Sequence, residues 1–139
     1  MRRALLLGLA AAAGSCGGPT GPSLQSRTIT DTLSSVGTIA ADYRVYPVSV
    51  SRAGPLTASV RWVGNGALWL FIFDQEPPTT ATPLAQSDQA QPTNPVTISA
   101  QVPSAGRYFV LVTQSLVPGG PAQGSCQCRD DFTLTLTYP

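Results

Sequence analysis

The stretch that decides the fold is Leu56-Thr57-Ala58-Ser59-Val60-Arg61-Trp62. Apolar and polar residues alternate along it, so an extended chain would have one apolar and one polar face. The same alternation returns in residues 96–102 and 132–138. An antiparallel sheet with one face in a core and the other in water has this pattern. Because helical spacing is almost absent elsewhere, these segments predict an all-β protein.

More strands are predicted around these three. Four of them are residues 28–33, 43–50, 67–73 and 107–114. A short edge strand is expected at 84–87, because the proline-rich stretch 75–95 is too long for a structureless loop in a small domain. Glycine- and proline-bearing turns separate the strands at 52–55, 64–66 and 103–106. About seven to eight short strands with such turns predict an antiparallel β-sandwich.

Pro47 interrupts one of the predicted strands. The apolar phase changes there, from Tyr43 and Val45 before the proline to Val48 and Val50 after it. Proline has no N–H to donate to a neighbouring strand. We therefore expect either a bulge or a sheet edge at Pro47.

Five segments then follow one another in order, at residues 42–45, 56–62, 71–74, 104–110 and 131–135. The sharpest element is Ala105-Gly106-Arg107-Tyr108-Phe109-Val110 ahead of a final Phe132-Thr133-Leu134-Thr135. This order resembles the bacterial pre-peptidase C-terminal domain over residues 28–138. The resemblance implies a jelly-roll-like sandwich that is not catalytic and serves in secretion, attachment or substrate capture.

The resemblance also concerns calcium. Family members commonly carry Asp-Leu-Asp-Leu at the start of the central strand, and calcium can bind near such acids in relatives. This chain has Ala67-Leu68-Trp69-Leu70 there. The resemblance therefore brings no metal site to this chain, and we predict no cofactor.

The N-terminal segment indicates export. Arg2 and Arg3 precede an apolar run that leads through small residues to Cys16, which is typical of a secretory leader. The run is too short for a permanent transmembrane helix. Residues 13–16, Ala-Gly-Ser-Cys, resemble the lipobox of bacterial lipoproteins, which implies cleavage before Cys16 and lipid on its thiol. Ordinary cleavage nearby would instead leave Cys16 a free thiol.

The predicted organisation is a signal peptide at 1–15, a lipid-anchored flexible tether at 16–27 and a β-sandwich at 28–139. Removal of the leader leaves six arginines against seven acids, so charge does not draw the mature chain to an anionic membrane or to nucleic acid. The lipid on Cys16 would hold the chain at the membrane instead. Gly17 stands where aspartate signals inner-membrane retention in some bacteria, which favours the outer membrane or cell surface.

The predicted strand 67–73 is apolar on both faces. Leu68, Leu70 and Ile72 alternate with Trp69, Phe71 and Phe73. A sandwich strand turns one face to the core, so something must cover the other. The proline-rich segment after residue 74 could do so. Alternatively, Trp69, Phe71 and Phe73 form an exposed platform that binds a partner protein or a sugar ring.

Cys126 and Cys128 form a C-x-C motif before the last strand. In an oxidising compartment the two can form a strained disulfide, which needs a tight bend. Free thiols and a bridge to another chain are alternatives. A Cu(I) site is the least favoured reading, because two thiolates without a histidine or a nearby methionine leave the metal shell incomplete.

The ionisable residues argue against catalysis. The chain has no histidine, so it lacks an imidazole base. Asp130 and Asp131 are adjacent, which points them to opposite strand faces and makes them a poor acid–base pair; we read both as a solvated strand entry. Trp62, Tyr43 and Tyr108 are predicted core residues.

The sequence as a whole predicts a non-catalytic lipoprotein of the cell envelope that acts as an accessory or binding module. Its expected partner is a surface protein or a polysaccharide. The alternative is a small structural subunit of a larger envelope complex. Copper binding through Cys126 and Cys128 is a third, less favoured function.

Overall fold

A computed structural model of the chain describes residues 23–35, 42–77, 80–87, 92–114 and 128–139. Its regular elements are eight β-strands: β1 Gln25–Ser35, β2 Tyr43–Val50, β3 Gly54–Val63, β4 Trp69–Phe73, β5 Ala85–Gln86, β6 Val96–Val102, β7 Gly106–Thr113 and β8 Cys128–Tyr138. Each strand predicted from the alternation lies within or overlaps one of them.

The strands form two four-stranded antiparallel sheets. Sheet A has the order β1-β8-β3-β6 and sheet B the order β2-β7-β4-β5. Successive strands alternate between the sheets except β4 and β5, which are paired neighbours in sheet B. This is the connectivity of an eight-stranded jelly roll. The predicted all-β, jelly-roll-like sandwich is confirmed.

The core between the sheets follows directly from the alternation. In β3 the buried residues are Leu56, Ala58, Val60 and Trp62, and their intervening neighbours point away. β6 buries every second residue in the same way. Sheet B contributes the other half of this core, chiefly from β4 and β7. Trp62 and Tyr108 lie in it, as predicted.

Pro47 lies on an edge strand. β2 pairs on one side with β7, and the register runs one-to-one through Pro47 opposite Phe109. The predicted edge is therefore confirmed, and the strand contains no bulge. The apparent change of phase arises because Tyr46 packs on the core between the sheets, whereas Val45 packs on a second cluster outside sheet B.

The proline-rich stretch supplies the other edge of sheet B. β5 pairs with β4, and the Leu84 N–H donates to the Ile72 carbonyl at 2.7 Å while the Ser87 N–H donates to the Leu70 carbonyl at 2.9 Å. The expected short edge strand at 84–87 is thus present. It turns β4 into an interior strand, which suits its apolar composition.

Two boundary expectations are corrected. β1 begins at Gln25, so residues 25–27, predicted to be tether, belong to the first strand. Tyr43 is 38% exposed rather than buried, because it lies on the face of β2 opposite Tyr46. No helix within the described ranges is long and apolar enough to cross a membrane.

Candidate binding surface

The predicted aromatic platform is buried. Trp69, Phe71 and Phe73 are 4%, 2% and 1% exposed. They form a second apolar cluster on the outer face of sheet B with Phe109 and Leu111. The prediction of an exposed platform is therefore wrong. The physical reason is that exposing five large apolar side chains on two adjacent strands to water would raise the free energy of the folded state, so the folded chain buries them.

Packing inside this aromatic cluster is specific. The rings of Phe71 and Phe73 stack with centroids 6.1 Å apart, and the Arg107 guanidinium carbon lies 5.4 Å from the centre of the Phe109 ring. Within the part of the chain that the structure describes, the buried Trp69 Nε1 has no hydrogen-bond partner. A buried donor without an acceptor lowers stability, so the cluster is held together by apolar burial.

The predicted sulfur chemistry lies outside the described residues. Cys16 and Cys126 fall there, and of Cys128 only the backbone is described, as the first residue of β8. Groups of three or more metal-ligating acids and cysteines are absent from the described ranges. The lipid anchor and the disulfide remain predictions.

Asp130 and Asp131 have different environments, and only Asp131 fits the predicted solvated strand entry. Asp130 is fully buried. One carboxylate oxygen accepts the Gly66 N–H at 2.9 Å, and the other accepts the Gln114 Nε2 at 2.7 Å. Gly64 and Gly66 both pass so close that a β-carbon on either would overlap the carboxylate. Asp130 therefore fastens the β3–β4 turn to β8.

Sequence reasoning missed this arrangement, although one signal was present. The sequence predicts a turn at Gly64-Asn65-Gly66, but its glycines are also small enough to let the backbone reach a carboxylate from another strand. Trp62 adds a second tie, because its Nε1 donates to the Gly66 carbonyl at 2.9 Å. These contacts make Asp130 a structural residue.

Two further acids, Asp31 and Asp42, take part in contacts between the edge strands β1 of sheet A and β2 of sheet B. The Tyr46 hydroxyl donates to Asp31 at 2.8 Å, joining β2 of sheet B to β1 of sheet A. Arg44 pairs with Asp42 at 2.7 Å and lies 3.6 Å from Asp31. The Ser34 N–H donates to Asp42 at 3.0 Å. We call Asp31, Asp42, Arg44 and Tyr46 the edge clamp.

The edge clamp shifts two pKa values in opposite directions. The Thr32 N–H, the Tyr46 hydroxyl and the Arg44 charge lower the pKa of Asp31, outweighing its partial burial. Burial and the nearby Asp31 carboxylate raise the pKa of Tyr46. Ionised Asp31 thus stabilises the fold at pH values above the ordinary aspartate pKa, and this contribution disappears as the pH falls through its lowered value.

We predict that Tyr46→Phe weakens this acid dependence. The variant loses a hydrogen bond to the charged carboxylate, so its stability should fall less between pH 7 and pH 2 than that of the wild type. Because Asp31 is more than a third exposed, the difference should stay at or below about 1 kcal/mol. Urea unfolding across this range measures it, with Tyr43→Phe as the control. Parallel wild-type and Tyr46→Phe pH profiles would contradict the prediction.

The outer face of sheet A has a different chemistry from that of sheet B. The cross-strand register aligns two rows of short hydroxyl side chains across all four strands: Ser26, Thr137, Thr57 and Ser99 in one, and Thr28, Thr135, Ser59 and Thr97 in the other. We call these eight residues the hydroxyl face. All eight are exposed or half-buried. On β3, β6 and β8 their strand neighbours lie in the core, whereas on β1 the residue between Ser26 and Thr28 is the exposed Arg27.

Hydrogen bonds order part of the hydroxyl face. The hydroxyls of Thr57 and Ser99 are 3.0 Å apart, and those of Ser59 and Thr97 are 2.8 Å apart. Either oxygen of each pair can be the donor. The next row contains Thr30, Thr133 and Arg61, so a charge borders the face at one end.

The sequence alternation predicted that the six hydroxyl-face residues in segments 56–62, 96–102 and 132–138 point to solvent. It could not predict that the hydroxyls line up, because a row depends on the register between strands far apart in the chain. Thr28 and Thr135, for example, are paired although 107 positions separate them.

Comparisons with known proteins give a limited result. No protein-family model matches the chain, and no curated protein matches it. Among solved structures, the chain is similar to the crystal structure of PliG from Aeromonas hydrophila, a periplasmic lysozyme inhibitor of g-type lysozyme. Sequence identity is 15%, the match covers 81% of this chain and 84% of PliG, and the TM-score is 0.48.

Proposed function

We propose that the chain is a non-catalytic binding module of a bacterial cell envelope, held to a membrane by lipid on Cys16. The observation that carries the proposal is the hydroxyl face. It is a solvent-facing sheet surface, four strands wide, on which two successive rows contain no ionisable side chain. Soluble proteins usually disperse charges over about a quarter or more of their surface residues, so an uncharged block suits contact with a partner.

The contrast between the two sheets supports the same proposal. The outer face of sheet B is apolar and covered, and its side chains take part in a second core. The outer face of sheet A is polar and open. A partner can reach the hydroxyl face without rearranging the fold, whereas the aromatic cluster would first have to be uncovered.

The environments of four described acids also favour binding over catalysis. Asp130 is sealed in the core by two uncharged donors, so neither of its oxygens is open to a substrate. Asp31 and Asp42 are engaged in the edge clamp, and Asp131 accepts hydrogen bonds from Thr32 and Arg129. Each of these four carboxylates thus already has hydrogen-bond or ion-pair partners within the chain.

The membrane anchor is tested by metabolic labelling with radioactive palmitate. We expect the wild-type chain to incorporate label and fractionate with membranes, and the Cys16→Ser variant to lose both properties. Cys126→Ser is the matched control, because it removes a cysteine that lies outside the lipobox-like segment 13–16. Equal labelling of the Cys16→Ser variant would contradict a lipid on Cys16.

Binding is tested by detergent extraction of the native lipoprotein under mild conditions, followed by identification of what it retains. A Thr135→Glu variant places a charge in the middle of the hydroxyl face, and Thr82→Glu places one on an exposed residue elsewhere. Retention that is lost only in Thr135→Glu supports the proposal. Substrate turnover by the purified chain, or retention unchanged in both variants, would overturn it.

A further inference from the structure

We infer that the hydroxyl face binds an uncharged glycan chain. This inference rests on the proposed function and names the ligand of the same surface. Its basis is the juxtaposition, by strand register, of Ser26, Thr28, Thr57, Ser59, Thr97, Ser99, Thr135 and Thr137 on one open sheet.

The charge of the hydroxyl face argues against a charged polymer. Nucleic acids and anionic lipid surfaces are held by arginine and lysine side chains that neutralise phosphates. The two hydroxyl rows have none, and the arginines nearest to them are Arg27, between Ser26 and Thr28 on β1, and Arg61, in the next row of β3. An ionic ligand would lose hydration on this face without gaining a counter-charge. An uncharged ligand matches it.

The composition of the face also disfavours a protein partner. The energetic centres of protein interfaces are rich in tryptophan, tyrosine and arginine, while serine and threonine are under-represented there. The aromatic residues of sheet B that could form such a centre, Trp69, Phe71 and Phe73, lie on the opposite outer face and are buried.

A glycan is complementary to a hydroxyl array because both surfaces offer the same two roles. Serine and threonine hydroxyls each donate one hydrogen bond and accept others, and so do sugar hydroxyls. The Thr57–Ser99 and Ser59–Thr97 pairs can reverse their donor and acceptor. Each pair can therefore present a donor or an acceptor to a ligand while keeping its own hydrogen bond.

The rigidity of the face lowers the entropic cost of binding. Serine and threonine have few rotamers compared with lysine, glutamate or glutamine, so ordering them on a ligand costs little. Adjacent strands lie about 4.8 Å apart and alternate residues along a strand about 6.7 Å apart. The hydroxyls therefore form a regular array, which suits a polymer that repeats along its length.

The expected affinity of one domain is modest, because each hydroxyl exchanges a hydrogen bond to water for one to the ligand. Many copies anchored in one membrane would bind a long polymer together. Avidity from such an array can exceed the affinity of one domain by about 100-fold or more. Many weak sites acting together can therefore attach a cell or envelope layer to a glycan.

The test is a depletion assay with the mature full chain in detergent micelles. Microcrystalline cellulose and chitin are the uncharged probes, and pectate and chitosan are the anionic and cationic probes. We expect depletion on an uncharged probe that is insensitive to salt. The Ser59→Ala/Thr135→Val double substitution should weaken it about tenfold by removing two hydroxyls.

Thr82→Val is the matched control, since it removes an exposed hydroxyl away from sheet A. Circular dichroism establishes that the variants keep the fold. Binding of cellulose or chitin that the double substitution leaves unchanged would overturn the inference, as would no binding to either, or salt-sensitive binding to pectate or chitosan alone. A different outcome is that the extracted chain retains a protein, loses it in the Thr135→Glu variant, and binds neither cellulose nor chitin. That outcome would support the proposed binding module and contradict only the inferred glycan ligand.

Discussion

Replacing Phe71 with alanine is expected to lower the free energy of unfolding by about 3–5 kcal/mol, the usual cost of removing a buried phenylalanine ring. Phe71 is 2% exposed and stacks on Phe73. Its truncation leaves a cavity in the aromatic cluster outside sheet B, on a strand whose two faces are both buried. Urea unfolding followed by tryptophan fluorescence measures the loss.

The Phe71→Leu variant is the graded control, because it retains much of the buried area and should cost less than Phe71→Ala. Thr28→Ala on the hydroxyl face should leave the unfolding midpoint nearly unchanged. A Phe71→Ala protein as stable as the wild type but unable to retain its partner would contradict the burial. Such a result would restore the exposed platform as the binding site.

Replacing Asp130 with alanine is expected to cost about 2–4 kcal/mol of stability. The substitution leaves the Gly66 N–H and the Gln114 Nε2 buried without their acceptor, and a buried donor without a partner costs roughly 1–3 kcal/mol. Removal of the buried charge itself offsets part of this loss. The β3–β4 turn should loosen as well, which amide hydrogen exchange at Gly66 would detect.

Two variants of this position and its neighbour sharpen the test. Asp131→Ala changes an exposed carboxylate on the same strand and should barely move the unfolding midpoint. Asp130→Asn keeps an acceptor for Gly66. If the Gln114 amide turns over, the new Asn NH2 can donate to the Gln114 Oε1, which among the described residues is buried without a partner, while the Gln114 Nε2 then loses its acceptor. Asp130→Asn should therefore be milder than Asp130→Ala. Equal effects of Asp130→Ala and Asp131→Ala would show that burial of Asp130 is irrelevant.

The two sheets share the same alternation, but their outer faces differ in composition and in exposure to solvent. Both turn one face to the shared core, but the second face of sheet B carries aromatic residues and that of sheet A carries hydroxyls. Because apolar surface is driven out of water, the aromatic face is used for stability. Hydroxyls are already well solvated and have no such drive. The outer face of sheet A therefore stays accessible to solvent and to a ligand.

Much of the fold could be predicted because the deciding signal is local. Period-two alternation in 56–62, 96–102 and 132–138 fixes which residues face the core, and each of these segments is a strand. Pro47 predicted an edge because it lacks an N–H, and β2 is an edge strand. Even β5 was expected from the length of the proline-rich stretch alone.

The surfaces of the molecule were harder to predict. Trp69 and Val45 belong to one apolar cluster although they are on strands that do not pair with each other. Asp130 was expected to be exposed but is buried, because the β3–β4 turn packs against it. Tyr43 was expected to be buried but is 38% exposed, because it lies on the face of β2 opposite Tyr46. The lipid anchor and the cysteine pair rest on sequence motifs, and their test is chemical.

The sequence by itself determined the strands, their inward-facing residues and the sandwich, because a residue's side of a pleated strand follows from its position in the alternation. The tertiary structure decided which outer face is covered, where Asp130 is buried and how eight hydroxyls line up. Those features depend on contacts between residues far apart in the chain, and a local pattern carries no information on the register that brings them together.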